Sequence, residues 1–145
     1  MSARRAAVRP FETFEHTADV GLIARGHTLE EAFCNAAAGL VDLMVDPKGL
    51  RADVHLKVTA AAEDRAGLLV AWLNELLYLL DTQGFVPRLC RMIELRDTML
   101  TAELFGDVVD PERHDVRRMV KAATYHGLSL TRTDTTWEAR VVLDL

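Results

Sequence analysis

The chain has no excess of positive charge, no apolar run of membrane length and only two cysteines, and each shortage removes a class of function. Lys and Arg number 17 against 22 Asp and Glu, so the formal net charge is −5. Independent, electrostatically driven binding to nucleic acid wants the opposite balance. Arg113, Arg117, Arg118 and Lys121 still fall close enough in sequence for a local basic patch. The apolar stretches are short and interrupted by charge, so none is read as a membrane span. Residues 1–10 carry three arginines but no apolar core. That is not a secretory signal, and it reads as a flexible tail. Cys34 and Cys90 have neither zinc-ligand spacing nor the density of a disulfide framework, and they fit a reducing cytoplasm. A glycine-rich phosphate loop, a GxSxG elbow and an HExxH helix are all missing, and no sequence repeat is visible.

What remains is ordinary globular material. The 145 residues are 50% hydrophobic and 27% charged, which suits one compact domain over 11–145. Two stretches carry the helical period. The first opens at Thr28-Leu29-Glu30-Glu31, a hydroxyl with an acid three residues on, and predicts a helix over 28–45. The second is capped by Asp64 and stopped by Gly84, with Leu69, Trp72, Leu73, Leu76, Leu77 and Leu80 on its stripe, over 64–82. Asn74, Glu75 and Asp81 sit off that stripe and read as a solvated face. Alternating runs predict strands over 11–16, 20–25, 53–60, 85–95, 99–105, 119–130 and from Trp137 onward. In the run from Met119, Val120, Ala122, Thr124 and His126 are expected on one face, Lys121, Ala123 and Tyr125 on the other. Paired strands with two interspersed helices give an α+β layer, with mostly antiparallel sheets, rather than a doubly wound parallel sheet.

Two places carry possible chemistry. His16-Thr17-Ala18-Asp19 puts a histidine, a hydroxyl and a carboxylate on four consecutive residues. Asp19 stands between Ala18 and Val20, where burial is costly without a cation or several donors. It is either the cap of a turn or half of a site completed from elsewhere. The other place is Asp144-Leu145, where a side-chain carboxylate adjoins a main-chain one. Hard cations take oxygen ligands, so Asp19, Asp144 and the Leu145 terminus would suit calcium, magnesium or manganese if the strands bring them together. The alternative is an exposed terminus that binds nothing.

These stretches resemble the archease family. The resemblance is carried in order by His16-Thr17-Ala18-Asp19, Thr28-Leu29-Glu30-Glu31-Ala32-Phe33, Trp72-Leu73-Asn74-Glu75-Leu76-Leu77, Asp110-Pro111-Glu112-Arg113-His114, Lys121-Ala122-Ala123-Thr124-Tyr125-His126-Gly127-Leu128 and Asp144-Leu145. It implies a strand-helix-strand-strand module inserted into a similar module. It also implies a protein cofactor rather than a free-standing enzyme, the activating partner of an RtcB-type RNA ligase in tRNA splicing and RNA repair. In that role it promotes the GTP- and metal-dependent guanylylation of the ligase and its multiple turnover. The family's metal site, which takes calcium, falls here on Asp19, Asp144 and Leu145. Lys121 is implicated in activation, and His16 and His114 are further candidates for contact with the partner. The chain departs from the family at Met119, where an acid is common, and at Ala123, where a larger aliphatic is common.

Two other functions compete. A small metal-dependent hydrolase would use His16 or His114 as general base and the Asp19/Asp144 metal to activate water. Against it, the candidate ligands lack the histidines typical of hydrolytic zinc. A chaperone-like scaffold would hold the ion for structure alone. The ligase partner, a cytoplasmic setting, no membrane and no independent RNA binding follow from the first reading.

Overall fold

The structure is a computed structural model that describes residues 8–15 and 19–145. Most of the expected tail, and the His16-Thr17-Ala18 part of the first motif, lie outside the described residues.

The elements follow in the order β1 (Phe11–Glu15), β2 (Asp19–Gly26), α1 (Leu29–Met44), a 3-10 turn (Pro47–Gly49), β3 (Val54–Ala61), α2 (Arg65–Gln83), β4 (Phe85–Leu95), β5 (Met99–Val108), β6 (Ala122–Arg132) and β7 (Trp137–Asp144). Local chemistry sets the helix ends. Thr28 Oγ1 accepts from Glu31 N at 3.0 Å, while Glu31 Oε1 reaches back to His27 N at 2.9 Å, so two donors of the first turn are satisfied. Asp64 caps α2 by accepting from Gly67 N at 2.7 Å. Gly84 ends it in the left-handed region, φ 68°, which a side chain would disfavour.

One sheet has the order β1-β2-β7-β6 and the other β3-β5-β4, all neighbours antiparallel. The two sheets repeat one pattern. In β2-α1-β6-β7 and in β3-α2-β4-β5 the third strand inserts between the first two, and the second unit is interpolated between α1 and β6. The fold is thus α+β, with one strand-helix-strand-strand module inside another.

Both helices touch both sheets: α1 packs on β2, β7 and β4, and α2 on β6, β3 and β4. The core fills that central layer. Trp72 and Phe33 are fully buried, and Trp72 Nε1 donates to Phe33 O at 2.9 Å, tying the helices together without leaving the indole N–H unpaired. No helix among the described residues is long and apolar enough to cross a membrane.

The structure corrects two expectations. Cys34 and Cys90 are joined in a disulfide, their Cα atoms 5.6 Å apart, although 56 positions separate them. The bond runs from α1 to β4, across the two modules, which is why sequence spacing conveyed nothing of it. The second correction concerns the run from Met119. Regular pairing begins only at Ala122, and the ladder steps from Thr124↔Val142 to Ser129↔Arg140, so residues 125–128 stand opposite Val141 alone. Gly127, at φ 65°, turns the chain there. The bulge breaks the alternation, leaving Ala123 in the core and Tyr125 exposed.

Candidate metal centre

The register of β2 on β7 decides where the first motif meets the last residues. Val20, Leu22 and Ala24 face the core opposite Leu143, Val141 and Ala139. The alternate residues therefore share the outer face, and Asp19 and Asp144 are direct partners at its end. Like charges placed opposite one another in a ladder repel. Asp144 is exposed and Asp19 half-buried. Within Asp19, Oδ1 is enclosed and has no hydrogen-bond partner among the described residues. An enclosed carboxylate oxygen facing a second carboxylate is short of positive charge.

The neighbourhood is shaped by backbone and packing. Two residues from Asp19 along the same face, the Phe14 ring lies across Gly21, where an added Cβ would come within 2.0 Å of the ring. Arg140 stacks on that ring, its guanidinium carbon 4.4 Å from the centroid. Leu145 packs its side chain against the main core, anchoring the last residue beside Asp144. Among the described residues no group of three or more His, Cys, Asp or Glu side chains converges. Two carboxylate side chains are thus available, and a third oxygen donor would have to be the Leu145 terminus. That all-oxygen set fits a hard cation and not zinc.

Lys121 reaches the same place by backbone. Its N–H donates to Asp144 O at 2.8 Å, so it flanks the aspartate pair although it precedes β6. Its side chain is exposed. The residue that fixes this segment went unread in the sequence. Asn74, on α2, accepts from Ala123 N at 2.8 Å and donates to Ala123 O at 3.2 Å, standing in for a neighbouring strand. Its signal was an amide between Leu73 and Leu76 on the inward side of a helix, too polar for that place without a partner.

His114 belongs to another cluster. It is 4% exposed; Nδ1 accepts from Asp110 N at 2.9 Å, which leaves Nε2 to donate to Asp107 Oδ2 at 3.2 Å. Asp107 also accepts from Arg51 N at 3.0 Å, Val108 N at 2.9 Å and the Arg113 guanidinium at 3.3 Å. The Arg51 amide first, and then Arg113, hold its carboxyl well below the usual carboxylate range. His114 therefore fastens the loop after β5 and makes no hydrogen bond to Asp19, Asp144 or Lys121.

The Archease protein family (MTH1598/TM1083) profile matches residues 11–145. The protein archease of Pyrococcus furiosus is 38% identical over 142 residues, 95% of this chain and 100% of that protein. The protein archease of Thermococcus gammatolerans is 40% identical over 142 residues, with the same 95% and 100% coverage. Among solved structures, that of Methanobacterium thermoautotrophicum protein 1598 superposes with a TM-score of 0.80 at 38% identity, covering 95% of this chain and 100% of that one. The crystal structure of an archease from Thermotoga maritima, described as a possible chaperone, superposes with a TM-score of 0.62 at 20% identity over 95% and 98% of the two chains, a likeness of fold alone.

Proposed function

This chain belongs to the archease family, and from that premise we propose that it activates an RtcB-type RNA ligase in tRNA splicing and RNA repair, promoting the GTP- and metal-dependent guanylylation of the ligase and its repeated turnover. The observation that carries the reading is the direct pairing of Asp19 with Asp144 on one face, with Asp19 Oδ1 enclosed and unpartnered among the described residues.

Asp19, Asp144 and the Leu145 terminal carboxylate hold a divalent cation, calcium in preference with magnesium or manganese as alternatives. That ion supplies fixed positive charge at the mouth of the partner's active site. Lys121 sets an ammonium beside it, available to a nucleotide phosphate or a carboxylate of the ligase. Asn74 holds the strand that carries Lys121 in register, so the three groups are presented as one rigid edge. The protein acts as a cofactor and not as an enzyme, and its setting is the cytoplasm.

The hydrolase alternative loses one of its two candidate bases. His114 is buried with both ring nitrogens engaged, so it has neither access to substrate nor a free lone pair.

The test is covalent guanylylation of purified ligase with GTP and manganese, with and without this protein. The expected result is faster labelling and multiple ligation turnovers with the wild type, and neither with Asp19→Ala. Phosphate or RNA hydrolysis by the protein alone supports the hydrolase. Improved ligase solubility at an unchanged rate supports the scaffold.

A further inference from the structure

A cavity of about 720 Å³ is lined by α2, by the exit of α1 and by residues 116–121. Its floor includes Leu77, Val86 and Val120, which are 8%, 1% and 8% exposed. Its rim is unusual. Tyr78, Val116 and Met119 line it and are 60%, 49% and 83% exposed, so large apolar side chains stand in water around an apolar hollow. That volume is of the size that holds a few inserted side chains.

The cavity also has a polarity. Lys121 lines it, two residues from Ala123, which Asn74 binds to α2. Asp81 lines it two turns further along the same helix. The ammonium of Lys121 has no partner among the described residues. An occupant must therefore be apolar along its middle and acidic where it meets Lys121.

Other occupants fit less well. Nucleic acid would meet an apolar floor and the carboxylate of Asp81. A second copy joined by a two-fold axis would set hollow against hollow and Lys121 towards Lys121. The cavity is moreover continuous with the candidate metal centre, because Lys121 N–H bonds Asp144 O.

We propose that this cavity is the docking groove for the ligase. It takes an amphipathic segment of that enzyme, whose apolar side chains insert between Tyr78 and Met119 while an acidic side chain meets Lys121. The proposal rests on the ligase reading and divides the labour within it: the groove supplies affinity, and the aspartate pair supplies activation. Met44 and Met119, unbranched and polarisable, allow the walls to adapt to the inserted chain.

The test uses full-length Tyr78→Glu and Met119→Glu proteins, both changed at exposed positions, beside Asp19→Ala. Affinity for purified ligase is measured by calorimetric titration, and activation by guanylylation over a concentration series. The groove variants should bind at least tenfold more weakly yet recover full activation at saturation. Asp19→Ala should bind as tightly as wild type and fail to activate. Groove variants that bind normally while Asp19→Ala fails to activate overturn the groove and leave the ligase reading standing. Wild-type protein that neither binds nor activates the ligase overturns both. Self-association of the wild type in sedimentation, abolished by Met119→Glu, makes the groove an interface between copies and also overturns the proposal.

Discussion

Asp107 and Asp19 are both strand carboxylates removed from bulk water, and their surroundings are opposites. Asp107 accepts from two backbone amides, a guanidinium and an imidazole. Asp19 faces Asp144 across the ladder, with one oxygen enclosed and unpartnered among the described residues. A carboxylate with every lone pair occupied holds a fold together and has nothing left for a ligand. A carboxylate short of donors costs stability in the free protein, and a cation or a partner can remove that cost. The contrast assigns structure to the Asp107 loop and function to the Asp19 edge, and it can be broken by experiment.

The largest effect belongs to Asp107→Ala. Removing it strands Arg113, His114 and two amides, and should cost roughly 3 kcal/mol. The low end of the range for buried pairs applies, because the Arg113 side chain remains 38% exposed. Urea unfolding measures it, and metal affinity should not change. A loss under 0.5 kcal/mol would mean that the network is ornamental.

Asp19→Ala inverts that pattern. Metal affinity by titration should drop at least tenfold, which is about 1.4 kcal/mol. Stability in the absence of metal should stay within about 0.5 kcal/mol, or rise slightly as the repulsion from Asp144 disappears. One residue added after Leu145 is the sharper variant, since every side chain stays while the terminal carboxylate moves away. If affinity survives that extension, the terminus is not a ligand.

Acid separates the two carboxylates more gently. The folded Asp107 carboxyl titrates below its unfolded value of 3.8. Its contribution to stability is therefore present above about pH 4 and lost as the pH falls further towards the folded value. Thermal midpoints between pH 5 and pH 2 should fall in the wild type. In Asp107→Asn the fall should be shallower. Equal slopes would contradict the hydrogen-bonded, ionised carboxylate described above.

The smallest effect on the protein itself is expected of Lys121→Ala. An exposed ammonium without a partner adds little to folding, and a protonated lysine cannot ligate a cation. Stability and metal affinity should hold while ligase activation weakens. Normal activation by this variant would remove Lys121 from the functional edge.

The sequence by itself determined what depends on neighbours in the chain. Thr28 with Glu31, Asp64, Gly84 and the apolar stripes placed both helices within a residue or so, because caps and helical periodicity act within a turn or two. Alternation placed the strands for the same reason, and it failed at residues 125–128, where the bulge answers to β7 and not to local pattern. Asp19 and Asp144 could be nominated from their chemistry, but their being face to face follows from the β2–β7 register, in which a slip of one residue would turn them to opposite sides. The partners that enclose His114, the amide of Asn74 on Ala123, the Cys34–Cys90 bond and the groove beside Lys121 were all decided by tertiary structure. Each joins residues far apart in the chain, and only packing the inserted module against the outer one brings them within reach.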